Sequence, residues 1–145
     1  DTDSIINQKI KSSLVNNLKI ILCIGETNKQ KINKQTNRIL KKQIVLSLKG
    51  IRNIKNIIFA YEPVWAIGTG KVPNKPELSK NILFIKSQIQ KKFKRAKKIN
   101  ILYGGSVNTK NIVDLNSINH LRGYLIGAAS QSSKKFIDII KKSYK

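Results

Sequence analysis

The sequence is short of cysteine, acid, aromatics and proline. One cysteine, Cys23, cannot form an internal disulfide, and its setting in the apolar run Ile20-Ile21-Leu22-Cys23-Ile24 reads as a buried small hydrophobe in a reducing, cytoplasmic compartment. No stretch of about 18 or more uncharged apolar residues occurs, so neither a membrane-spanning helix nor a membrane partner is expected. The opening residues Asp1, Thr2, Asp3 and Ser4 put no basic segment before an apolar one, and no signal peptide is visible. Acids number only seven against 29 lysines and arginines, for a net charge of +22.

That charge invites a nucleic-acid reading, since a basic surface neutralises phosphates. Composition favours another. Lysine, isoleucine and asparagine supply 65 of the 145 residues, whereas arginine supplies four. Nucleic-acid binders lean on arginine for bidentate contacts and on aromatics for stacking. Here the lysines spread over every predicted helix. The expectation is a solvated basic surface with no specific nucleic-acid partner and a salt-sensitive attraction to polyanions.

Apolar spacing predicts a strictly alternating chain. A helix is expected over 3–17 with Asp3 as its N-cap, a strand over 18–24, and one long helix over 30–49. A second strand spans 56–61. A helix over about 74–96 starts with Asn74 and Glu77 as a capping box. A strand over 99–103, a short helix over 110–115, a strand over 121–126 and a helix over 134–142 complete the order. Strict alternation with apolar strands implies a parallel sheet with crossover helices. In such folds ligands bind at the C-terminal ends of the strands.

Those ends carry the chemistry. The second strand runs into Ala60-Tyr-Glu-Pro-Val-Trp-Ala-Ile-Gly-Thr-Gly-Lys71. One acid, Glu62, stands where the strand stops. A stiff Pro63-Val64-Trp65 step and a pliable Gly68-Thr69-Gly70 tip follow. Taken alone, Glu62 reads more readily as a surface ion-pair partner; in this setting it reads as a base beneath a lid. The other three strands end in glycines, at Gly25, Gly104-Gly105 and Gly127, where backbone N–H groups can meet a ligand.

The twelve-residue stretch, with Cys23-Ile-Gly-Glu26, Tyr103-Gly-Gly-Ser-Val107 and Gly123-Tyr-Leu-Ile-Gly-Ala-Ala-Ser130, resembles the triosephosphate isomerase family. The four motifs occur in the family's order across nearly the whole chain. The resemblance implies an α/β fold: the C-terminal half of a (β/α)8 TIM barrel, with four parallel strands and flanking helices. Residues 1–145 are then a partial barrel domain with its N-terminal half absent. That half holds the family's Asn-x-Lys, its catalytic histidine and most of its dimer loop. Family activity is the interconversion of dihydroxyacetone phosphate and glyceraldehyde 3-phosphate through an enediolate, with a small phosphorylated triose as substrate, no metal or cofactor, and a homodimer as the assembled state.

Residue by residue, the resemblance makes Glu62 the catalytic base. Residues 63–73 become a mobile lid, including Pro63, Val64, Trp65, Ala66, Ile67, Thr69, Gly70 and Lys71. Gly68, Ser106, Gly127 and Ala128 become a phosphate cradle. Tyr103 is expected to hydrogen-bond the closed lid or simply to pack. Departures from the family pattern are Pro73 for alanine, Ala128 for glycine, Arg122 for aspartate and Gln131 for leucine. His120, the only histidine, precedes the last strand and cannot replace the missing one. The alternative is a non-catalytic half-barrel remnant or a basic interaction protein.

Overall fold

The computed structural model describes residues 1–96 and 98–144. Its elements are α1 (Asp3–Val15), β1 (Ile20–Ile24), α2 (Asn28–Ile32), α3 (Thr36–Ser47), β2 (Ile57–Tyr61), α4 (Lys75–Lys92), β3 (Ile101–Tyr103), α5 (Ile112–Asn116), β4 (Leu121–Tyr124) and α6 (Ser133–Ser143). The four strands form one sheet in sequence order, every neighbouring pair parallel. Each return to the next strand passes through helix, as parallel pairing requires. The parallel sheet with crossover helices is what the strand and helix alternation predicts, and it is consistent with the half (β/α)8 barrel that the family resemblance implies.

Side-chain alternation separates the two faces of the sheet. Leu22, Phe59, Ile101 and Leu121 lie in register across β1 to β4. Leu22, Ile24, Ile57, Phe59, Tyr61, Ile101 and Tyr103 are buried, in one cluster with Leu40 and Ile44 of α3 and Leu78, Ile82, Ile85 and Ile89 of α4. The last four are spaced by three and four, so a single helical stripe meets the strands. On the opposite face Ile21, Cys23 and Arg122 are exposed, while Ile58 and Leu102 are half-buried. Among the described residues no helix covers that apolar face, and β1 and β4 each pair on one side only.

Several expected boundaries shift for local reasons. The long helix over 30–49 is two helices. Thr27 and Gln30 form a reciprocal capping box that starts α2 early, and Lys34, at φ 55°, turns the chain before α3. Thr2, not Asp3, caps α1: its hydroxyl accepts the Ile5 N–H at 3.3 Å, and Asp3 becomes a first-turn acid. Asn74 caps α4 by accepting from the Glu77 N–H at 2.9 Å. The reciprocal half of that box is missing because the Glu77 carboxylate pairs with Lys31 at 2.9 Å instead. Strand β4 stops at Tyr124 beside an irregularity in its pairing with β3.

Candidate active site

Glu62 leaves the sheet directly after β2, where its N–H donates to the Ile24 carbonyl at 2.8 Å. This ties the ends of β1 and β2 together and sets the half-buried carboxylate at the C-terminal edge of the sheet. Its side chain lies across Gly104, whose N–H donates to the Tyr61 carbonyl at 2.9 Å. A Cβ at residue 104 would stand 2.6 Å from Glu62 Cγ and 2.9 Å from Cδ. Glycine is needed at 104 because Glu62 occupies the space a side chain would take.

Cys23 shares this edge. Desolvation and then the neighbouring Glu62 carboxylate push the Cys23 pKa up to about 12. Cys23 is nonetheless exposed on the uncovered face. The expectation of a buried cysteine is corrected: the residue is apolar in sequence context, but it points to the face that lacks a covering layer.

The segment after Glu62 is clamped at its start and pliant at its tip. Pro63 leads into one 3-10 turn, Val64–Ala66. Trp65 Nε1 donates to Glu26 Oε1 at 2.9 Å. Glu26 is fully buried. It also accepts from the Tyr61 hydroxyl at 3.2 Å, and that hydroxyl accepts from Asn81 Nδ2 at 2.9 Å. Burial and the Glu26 charge push the Tyr61 pKa up, which keeps Tyr61 a neutral donor. On the indole face Lys31 Nζ stands 3.6 Å from the ring centroid. Glu26 was visible in the sequence only as the end of a family motif. Its pairing with Trp65 spans 39 positions and becomes apparent only once β1 and β2 are adjacent.

The tip, Ile67 to Gly70, is exposed. Gly68 and Gly70 adopt φ of 68° and 75°, a left-handed conformation that glycine takes without steric penalty. Ser106 bridges both ends of the tip: its hydroxyl donates to the Ala66 carbonyl at 2.7 Å and accepts from the Gly70 N–H at 2.9 Å. Thr69 Oγ1 donates to the Trp65 carbonyl at 3.0 Å and accepts from the Lys71 N–H at 3.2 Å. Tyr103 does not make the expected bond to this segment. Its hydroxyl is buried with no partner among the described residues. Pro73, at the end of this segment, has no N–H to donate.

Glu62, Gly68, Gly70, Ser106, Gly127 and Ala128 all line one cleft of about 690 Å³. The structure therefore brings the predicted base and all four predicted cradle residues together, with Ile67 beside them. The N–H groups of Gly68, Gly127 and Ala128 donate to no protein acceptor among the described residues. Those of Gly127 and Ala128 open a 3-10 turn, Ala128–Gln131, just before α6. Donors arranged this way suit an anion. Pro63, Val64, Trp65 and Lys71 do not line the cleft. Lys110 and Lys135 do line it, and sequence reasoning missed them because nothing separates them from the other lysines. His120 is exposed ahead of β4, at the other end of the strands, with Nδ1 3.0 Å from Lys86 Nζ.

The family model for triosephosphate isomerase matches residues 1–143. The chain belongs to the triosephosphate isomerase family. It is 42% identical over 142 residues to the triosephosphate isomerase of Thermodesulfovibrio yellowstonii, covering 97% of this chain and 58% of that relative. The enzyme of that name from Mycoplasma mobile is 40% identical over 141 residues, covering 97% of this chain and 56% of its own length. For Alkaliphilus oremlandii the figures are 36% over 144 residues, 97% and 58%. The chain thus spans a little over half the length of the triosephosphate isomerases it matches.

Proposed function

We propose that this chain carries the catalytic base, the lid and the phosphate cradle of a triosephosphate isomerase. The observation that carries the proposal is the convergence of Glu62 with the N–H groups of Gly68, Gly127 and Ala128 on one cleft. The cleft offers a carboxylate at one side and anion-binding backbone at the other, which matches a small substrate with one phosphate. Bound there, a triose phosphate presents a carbon-bound proton to Glu62. The carboxylate takes that proton, the carbon–hydrogen electron pair becomes the carbon–carbon double bond of an enediolate as the carbonyl pair moves onto its oxygen, the proton returns to the neighbouring carbon, and the hydroxyl proton passes from one oxygen to the other as the second carbonyl forms. Closing the lid excludes water, which raises the basicity of Glu62 and protects the enediolate. Ser106 supports closure by joining Ala66 to Gly70.

The polarising partner for the carbonyl lies outside this chain. His120 is the sole histidine, and it is at the wrong end of the strands. We assign that partner, and the cover of the uncovered sheet face, to the other four strands of the barrel. The same reading makes residues 1–145 the second half of one barrel domain, within a cytoplasmic homodimer. Positioned electrostatic donors commonly contribute about 10²–10³ in rate, so these 145 residues alone are expected to show no substantial turnover. The test is an isomerase assay of the full-length protein and of residues 1–145 separately. Turnover by the full-length protein only, or by the fragment after the N-terminal half is added, supports the proposal. A full-length protein with no triose-phosphate turnover refutes it.

A further inference from the structure

At the opposite end of the strands from Glu62, a second cleft of about 890 Å³ opens between the segment before β2 and the segment after α4. Its floor is apolar: Ile54 and Ile57 are buried, while Phe93 and Ala96 are half-buried. Its rim carries seven cations, among them Arg52, Lys55, Arg95 and Lys98. All seven acids of the chain lie elsewhere in the sequence, and neither ion pair among the described residues involves this rim.

Lysine-rich composition accounts for scattered lysines, but it gives no reason for the arginines to gather. Two of the four, Arg52 and Arg95, line this cleft. Lys91 and Lys92 fall in the last turn of α4, where they offset the partial negative charge of the helix end. That leaves Arg52, Arg95, Lys55, Lys94 and Lys98 in no ion pair among the described residues. Arginine presents its donors as a planar fork that fits phosphate oxygens. An apolar floor inside a cationic rim, in a volume typical of small-molecule sites, asks for a ligand with a flat apolar part and several phosphates.

We propose that this cleft binds a nucleoside polyphosphate, its phosphates on the Arg52 and Arg95 rim and its base against Phe93 and Ile54. Binding here is separate from the isomerase site, because the two clefts lie at opposite ends of the sheet. The test is calorimetric titration of the full-length protein with ATP, ADP, AMP, adenosine and tripolyphosphate at two salt concentrations. Affinity should rise from AMP to ATP, fall with salt, and be weaker for tripolyphosphate than for ATP. Arg52→Ser with Arg95→Ser should weaken ATP binding at least about tenfold, the scale of one lost charge-assisted contact. Lys41→Ser with Lys141→Ser, exposed lysines that do not line the cleft, should leave binding within about twofold, and both pairs should retain isomerase turnover. Equal loss in the two pairs would overturn the proposal by showing a diffuse charge effect. So would tripolyphosphate binding as tightly as ATP, or a single-stranded oligonucleotide that binds and that ATP fails to displace.

Discussion

Gly104→Ala tests the placement of Glu62 while leaving its chemistry intact. The new Cβ would lie 2.6 Å from Glu62 Cγ and 2.9 Å from Cδ. Carbon atoms out of bonding reach settle at about 3.5–4.0 Å, so the Glu62 stem must retreat by roughly 1 Å. Because Glu62 is only half-buried, the fold should lose little, about 0.5–1.5 kcal/mol for a displaced rotamer. Catalysis should lose much more: an error of about 1 Å at a reacting group lowers the rate around 10²-fold. The assay is kcat/KM of the full-length Gly104→Ala protein, with its urea midpoint measured in parallel. The expected outcome is a near-normal midpoint and activity reduced about a hundredfold. Wild-type activity in this variant would refute the reasoning, since Glu62 could not then work from the position the structure gives it.

Further outcomes follow from single contacts. Tyr103→Phe removes a buried hydroxyl that has no partner among the described residues; thermal unfolding should show stability unchanged or raised by up to about 1 kcal/mol, and a clear loss would mean that the hydroxyl is bonded. Ser106→Ala deletes both bonds across the lid tip. Two neutral hydrogen bonds are worth about 1–3 kcal/mol together, so amide exchange at Gly70 should accelerate and turnover should fall roughly tenfold or more. The Cys23 thiol, with its pKa pushed up to about 12, should be poorly reactive toward alkylation near pH 8, with the rate climbing as pH rises toward that value. Glu62→Gln removes the adjacent negative charge, lowers that pKa, and should speed Cys23 alkylation at fixed pH; an unchanged rate would show that the two side chains do not interact.

Much of the fold was legible because it rests on local pattern. Leu78, Ile82, Ile85 and Ile89 mark one helical stripe, and the apolar runs at 20–24, 57–61 and 101–103 mark buried strands. Glu62 was legible as a candidate base because a lone acid ended an apolar strand ahead of a glycine-tipped loop. What escaped depended on rivals that sequence spacing does not rank. Thr2 displaced Asp3 as a cap, and Glu77 turned from its own helix start to Lys31. The turn at Lys34 needs a left-handed residue that nothing in its side chain advertises. Glu26 holds Trp65 through a contact that exists only after two strands pair. Cys23 looked buried because strand pattern cannot reveal that one face of the sheet has no covering layer in this stretch of chain.

Glu62 as the proton shuttle is tested most directly by Glu62→Gln in the full-length protein, assayed for isomerisation in deuterated water. Glutamine keeps the size and removes the base. Turnover and the wash-in of solvent deuterium at the reacting carbons should fall together by about 10²–10⁴-fold, the range for losing a general base, with KM changed only a few-fold. Turnover or deuterium wash-in close to that of the unaltered protein would contradict the assignment of Glu62.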